Sequence, residues 1–363
     1  MTRYLLAGGG TAGHVNPLLA VADRIVVREP DAVILVLGTA EGLESRLVPA
    51  RGYELLVVPR LPFPRRPNLE ILLFPSRFAH LVAQIRGLVR EHRIDVVVGF
   101  GGYVSAPAYL AARREKVAIA IHEANARPGM ANRLGARLTR FVGTAFRSVR
   151  LPHARFVGMP LRQEIESLDR PIVRREALAF FGLSPARPTL LVTGGSQGAK
   201  HVNETVYAAA ATIIGAGWQI LHITGERSEL PPTELANYVI IPYCDRMDLA
   251  LAAADLAVAR AGAATVSEFS ALGVPAVYVP LAIGNGEQQH NARDVVAAGG
   301  ALIVENAIFT PQWILDRLVP LLEDRALIAG MAARTLSVGV LDGADRMVDL
   351  VGDALASTVG LST

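Results

Sequence analysis

Two hydrophobic patterns alternate along the chain: short apolar runs that end in glycine or polar clusters, and longer stretches with apolar positions at helical spacing. Runs of the first kind fall at Arg3 to Ala7, Val33 to Leu37, Asp95 to Val98, Val117 to Ile121, Thr189 to Thr193, Leu256 to Ala259 and Ala276 to Val279. Near-continuous apolar runs of that length read as strands of a parallel sheet, covered on both faces. Helices are predicted from about Ser76 to Arg90, Ala106 to Arg114, Lys200 to Ile214, Trp313 to Leu322 and Arg346 to Ala356. The pattern gives way to a charged, poorly periodic segment after Phe156 to Arg162, then restarts at Thr189. Such a restart predicts an α/β chain of two similar doubly wound, Rossmann-like domains, residues 1–160 and 161–342, facing across a cleft. The last helix, residues 343–363, is expected to pack back on the first domain.

The polar residues gather at the ends of the strands. Gly8-Gly9-Gly10-Thr11-Ala12-Gly13 after the first strand is a phosphate-binding type of loop, and the helix after it is expected to start at Asn16 and Pro17. A dinucleotide site would next want an acidic residue at the end of the second strand, but that strand ends in Gly38-Thr39 with the nearest carboxylate at Glu41, so an NAD-linked dehydrogenase is disfavoured. His14 could take a proton at neutral pH or merely bond the turn. Tyr103 follows Gly101-Gly102 at a loop tip, and His122-Glu123-Ala124-Asn125 ends another strand. There Glu123 could be a base, an acceptor of bonds from a hydroxyl-rich ligand, or the partner of Arg127 or Arg133. In the second half, Arg260 to Ala264 is a loop of small residues leading to a helix at Thr265. Bare amides at that helix start suit a diphosphate, although Thr265-Val266-Ser267-Glu268 also matches a capping box. The polar cluster Glu287 to Asn291 on the next loop favours a pocket.

Composition narrows the class. The chain has 363 residues, of which 51% are hydrophobic and 19% charged, with a formal net charge of +3. That is globular, and too diffusely basic to argue for nucleic acid. A lone cysteine, Cys244, excludes an intrachain disulfide and a thiolate cluster. No uninterrupted apolar run reaches 18 residues and the start is too quickly broken for a signal peptide, so a cytoplasmic protein is expected. From Pro62 to Arg90 the composition shifts: Phe63, Leu69, Leu72, Leu73, Phe74 and Phe78 interleave with Arg65, Arg66 and Arg77. A loop followed by a core-facing helix is one reading; contact with an anionic membrane surface is the other.

In order along the chain, Gly9 to His14, Gly101 to Ser105, His122-Glu123 with Asn125, Gly194 to Ala199, and Arg260 to Glu268 resemble successive signatures of the MurG family. Its members move N-acetylglucosamine from UDP-N-acetylglucosamine to the C4 hydroxyl of undecaprenyl-diphosphate-linked muramyl pentapeptide, lipid I. The resemblance implies a GT-B fold, an inverting transfer with no metal or other cofactor, and peripheral attachment to the cytoplasmic face of the membrane, beside other cell-wall synthesis or division proteins. Such a transfer needs a base for the acceptor hydroxyl, for which His14 is the candidate and Glu123 its rival. By matching position Thr11, Ala12, Gly13, Asn125, Arg162, Ser196, Cys244, Ala263, Ala264, Thr265, Val266, Ser267, Glu268 and Gln288 would bind the donor, with Glu268 on the ribose. Tyr103 and His122 would lie on the acceptor side. Three positions depart from the family pattern: Ala12 for glycine, Ala124 for glutamine and Met159 for asparagine. The methyl of Ala12 fits only if that residue keeps a negative φ. Other readings of the same residues are a transferase with a soluble acceptor, a UDP-N-acetylglucosamine epimerase, or a non-catalytic nucleotide-sugar sensor.

Overall fold

A computed structural model describes residues 1–63, 69–195, 199–228, 230–281 and 286–359. The chain divides into two compact units, Met1–Arg162 with Leu341–Thr363, and Gln163–Val340. The first unit contains β1 (Arg3–Gly8), β2 (Val33–Gly38), β3 (Glu54–Val57), β4 (Val96–Gly101), β5 (Ala118–Glu123), β6 (Val142–Thr144) and β7 (Ala154–Phe156). They form one sheet in the order β3-β2-β1-β4-β5-β6-β7, and every pairing is parallel. The second unit contains β8 (Thr189–Thr193), β9 (Gln219–Ile223), β10 (Tyr238–Ile241), β11 (Leu256–Ala259), β12 (Ala276–Tyr278) and β13 (Ala301–Ile303), ordered β10-β9-β8-β11-β12-β13 and again all parallel.

Alternation along each strand feeds a core on either face of the sheet. In β1, Tyr4 and Leu6 pack with Leu18, Val21 and Ile25 of the helix Ala12–Arg28, whereas Leu5 and Ala7 pack with Leu81, Ile85 and Tyr109 on the other side. The helix Gly343–Val359 completes the first of these cores through Met347, Leu350, Val351 and Ala354. Burying side chains of that size stabilises by roughly 1.5–3 kcal/mol each, so the C-terminal helix is part of the first unit's core rather than an appendage. The stretch Arg325–Thr358 is apolar enough in mean hydropathy to cross a membrane, but the chain leaves the helix between Val338 and Gly343, and the two pieces belong to different units.

Two helix starts differ from the sequence expectation. The first helix opens at Ala12 with Thr11 as its cap, and Pro17 lies inside it, because Gly10 at φ +87° turns the chain into the helix sooner. The helix expected from Ser76 runs Leu69–Glu91 with Pro75 inside, where the i→i−4 bond to the Ile71 carbonyl is missing. Its second half buries Leu81, Val82, Ile85 and Val89 under the sheet, while Ile71, Leu72 and Leu73 of its first half are exposed.

Candidate functional site

In the first unit the strand order reverses between β1 and β4, so the loops leaving their carboxyl ends diverge and open a crevice. Both loops need glycine. Gly101 and Gly102 lie at φ +96° and +86°, and a Cβ on Gly102 would sit 2.7 Å from the Gly9 carbonyl oxygen. Ser105, fully buried, ties the loops together: its Oγ lies 2.9 Å from Ala7 O and 2.7 Å from Gly101 O and accepts from Gly101 N. His14 projects from the first helical turn into this corner. Its Nδ1 is 3.1 Å from Gly9 O and 3.3 Å from Thr11 Oγ1. A carbonyl can only accept, so Nδ1 carries the proton and Nε2 is the bare nitrogen. That Nε2 lies beside Gly101, where a Cβ would come within 3.0 Å, and makes no hydrogen bond among the described residues. Ala12 is helical and absent from the positive-φ residues, which meets the condition its methyl imposes.

Consecutive residues of β5 point to opposite faces, and this separates His122 from Glu123. His122 is fully buried, with Nε2 donating to Gly158 O at 3.0 Å, and burial pushes its pKa down to about 4. An imidazole so enclosed cannot contact an acceptor, which corrects its expected place on that side. Glu123 is also buried, but its carboxylate accepts from Asn125 N (2.9 Å), Gly129 N (3.0 Å) and Asn132 Nδ2 (2.9 Å). Burial raises its pKa, and those three donors together with the nearby His14 ring oppose the rise. The expected Arg133 ion pair is not formed; Arg133 Nε donates to Pro128 O instead. Asn132 is itself set by Tyr109, whose hydroxyl donates to Asn132 Oδ1 at 2.7 Å. Glu123 is thus the hub that shapes the Asn125–Gly129 loop and leaves the half-buried Asn125 side chain at its edge. Tyr103 is partly exposed with the Arg60 guanidinium 5.3 Å over its ring, and Arg162 closes the first unit.

One residue of this corner escaped the sequence reading, which stopped at Glu41. Glu44 is fully buried beneath the glycine-rich loop and accepts from Gly10 N (2.8 Å), Thr39 N (2.9 Å) and Thr39 Oγ1 (2.9 Å). The signal was present as Gly38-Thr39 followed by Gly42 and Glu44. A small recess of about 60 Å³ adjoins it, lined by Gly9, Gly10, Thr39, Glu41, Arg60 and Tyr103 among others.

In the second unit the order reverses between β8 and β11. The helix after β11 spans Ala263–Ala271, two residues longer at its start than expected, with Gly262 as cap. No side chain caps it, so the Thr265–Glu268 capping box is not formed; Thr265 is already the third helical residue. The first amide used within the helix is that of Val266, bonded to Gly262 O, which leaves those of Ala263, Ala264 and Thr265 outside the helical ladder. The loop before it is held by Asn291 Nδ2 on Ala261 O and by Arg260 Nη1, which donates to Val279 O, Pro280 O and Asn306 Oδ1. Ser267 and Glu268 are half-buried one turn on, Gln288 Oε1 accepts from Leu281 N, and Cys244 lies in the loop after β10. All follow carboxyl ends of strands on one edge of this sheet. Ser196 lies outside the described residues.

Of the arginine-flanked stretch, Arg65 and Arg66 lie outside the described residues, as does the side chain of Leu69. The rest forms an aromatic row, Phe63 on Phe74 (5.2 Å) and Phe74 on Phe78 (5.6 Å), beside Leu72, which is 75% exposed, Leu73 and the exposed Arg77.

Comparison with known proteins covers both units. The model of the glycosyltransferase family 28 N-terminal domain matches residues 4–144 and that of its C-terminal domain residues 189–347. The UDP-N-acetylglucosamine--N-acetylmuramyl-(pentapeptide) pyrophosphoryl-undecaprenol N-acetylglucosamine transferase of Leifsonia xyli is 63% identical over 98% of this chain and 100% of its own length. The protein of the same name from Streptomyces coelicolor is 48% identical over 98% and 99%. Among solved structures, Acinetobacter baumannii MurG superposes with a TM-score of 0.78 at 28% identity, covering 97% of this chain and all of its own. A UDP-N-acetylglucosamine 2-epimerase from Neisseria meningitidis shares the fold, at TM-score 0.68 and 14% identity over 97% of this chain and 100% of its own.

Proposed function

The chain belongs to the MurG family of N-acetylglucosamine transferases, and from that membership we propose how its own residues carry the transfer from UDP-N-acetylglucosamine to lipid I. The observation that carries the reading is the pair of switch-point loops: one presents a histidine with a bare Nε2, the other a helix start with unused amides. The donor binds the second unit. Its diphosphate sits on the amides of Ala263, Ala264 and Thr265, where the helix dipole and the low-dielectric surroundings favour negative charge. Glu268, one turn on, holds the ribose hydroxyls; Val266, Ser267, Gln288, Cys244, Ser196 and Arg162 complete the donor contacts.

From the first unit Thr11, Ala12, Gly13 and Asn125 reach the donor sugar, and the acceptor meets this unit at Tyr103. Its C4 hydroxyl attacks the anomeric carbon opposite the diphosphate; the new C–O bond forms as the bond to the diphosphate oxygen breaks, through an oxocarbenium-like state that inverts the centre. The hydroxyl proton passes to His14 Nε2, and the charge left on UDP is stabilised by the helix amides. Glu123 shapes the acceptor loop rather than taking the proton: it is buried and three donors, Asn125 N, Gly129 N and Asn132 Nδ2, hold its carboxylate in the loop. The exposed Leu72 and Leu73 and the half-buried Phe74, with Arg65, Arg66 and Arg77, rest on the anionic cytoplasmic leaflet, where the lipid-linked acceptor is. Labelled sugar supplied as UDP-N-acetylglucosamine should appear on a short-chain lipid I analogue; release of free sugar or an epimerised nucleotide without acceptor would contradict the reading.

A further inference from the structure

Glu44 has no part in the transfer as described, yet three separate segments make room for it. A Cβ on Gly9, Gly38 or Gly42 would overlap its side chain. Gly9 follows β1, Gly38 ends β2, and Gly42 stands two residues before the helix Glu44–Ala50. Glycine at all three leaves space for a buried carboxylate that then receives Gly10 N, Thr39 N and Thr39 Oγ1. Burial alone would raise its pKa, but these donors outweigh it and hold the carboxyl below the usual range, so the group is an anion.

The bond to Gly10 N fixes the peptide joining Gly9 to Gly10. The carbonyl of that same peptide is the one that faces His14 Nδ1. A peptide is planar, so an acceptor gripping its N–H aims its oxygen the opposite way. We propose that Glu44 is a positioning residue for His14: by holding the Gly9–Gly10 peptide, it makes the Gly9 carbonyl keep the proton on Nδ1 and leaves Nε2 as the proton acceptor. The consequence for turnover rests on the reading of His14 as the base, while the consequence for the tautomer does not. Gly102 packs against the Gly9 side of this peptide, whereas its Gly10 side, at φ +87° and exposed, has Glu44 as its side-chain hydrogen-bond partner among the described residues.

The test is long-range 15N NMR of the His14 ring in the full chain, together with initial rates. The unaltered protein should show the Nδ1–H tautomer. In Glu44→Gln a single oxygen must serve Gly10 N on one side and Thr39 N with Thr39 Oγ1 on the other, and in Gly42→Ala the new methyl displaces the carboxylate while keeping it in the chain. Both variants should shift His14 toward the Nε2–H tautomer and lower kcat at least tenfold, with KM for UDP-N-acetylglucosamine within twofold. A His14 spectrum unchanged in a folded variant overturns the proposal. A shifted tautomer with unchanged kcat upholds the positioning and overturns His14 as the base. If Glu44→Gln melts below the assay temperature, Gly42→Ala decides by the same two readouts.

Discussion

Exchanging His14 and Glu123 separately distinguishes the group that takes the proton from the group that holds the loop. His14→Ala removes the bare Nε2 and touches nothing in the core. A general base contributes roughly a hundred- to ten-thousandfold, about 3–5 kcal/mol on the barrier at 1.36 kcal/mol per decade. The same variant should melt where the unaltered protein does, because His14 is half-buried and its bonds are to a loop carbonyl and an exposed threonine. Glu123→Gln has the opposite profile. Its remaining oxygen can keep two of the donors Asn125 N, Gly129 N and Asn132 Nδ2, but its NH2 must face the third. One buried donor left unpaired costs about 1–3 kcal/mol, which for a unit of this size lowers its melting point by several degrees. The rate, where the protein stays folded, should fall less than tenfold. The assay is transfer of labelled N-acetylglucosamine to a short-chain lipid I analogue at saturating donor, with calorimetry on the same samples. A rate within tenfold of normal for His14→Ala, beside a folded but inactive Glu123→Gln, would refute the assignment.

Two further outcomes are expected. The buried His122 and His222 have pKa values pushed down by burial to about 4 and about 3. The unfolded chain therefore takes up protons first on acidification, and stability falls from pH ~6.5 toward those values, by about 2 kcal/mol per histidine at pH 5. Denaturant melts at pH 7 and pH 5 read this, and an unchanged pH slope in His222→Gln would count against it. Charge reversal at Arg65, Arg66 and Arg77 together should weaken sedimentation with vesicles containing anionic lipid while leaving neutral vesicles unaffected; undiminished anionic binding removes the membrane assignment.

The strands were the most legible part of the chain. Thr189–Thr193 and Leu256–Ala259 are read to the residue, because an interior parallel strand is an apolar run that polar or glycine-rich loops cut off at both ends. Helix starts were less so. Pro17 reads as a start marker, yet it lies within a helix that begins at Ala12, and the helix expected from Ser76 begins at Leu69 with Pro75 inside it. Thr265 and Glu268 have capping-box spacing, but spacing does not reveal that Gly262 has already opened the helix. His122 and Glu123 stood as one polar cluster in the sequence and part in the structure, by strand alternation. Glu44 was missed because its partner Gly10 is 34 residues away, and no local pattern announces a carboxylate buried by contacts that distant.

The donor assignment rests on the unused amides at Ala263, Ala264 and Thr265, and titrating UDP into the 15N-labelled chain observes them directly. The largest amide shifts should fall at Ala263 to Val266, with smaller ones at Ser267 and Glu268, and saturate together. Shifts centred on Gly9 to His14, with the Ala263 to Val266 amides unmoved, would contradict it.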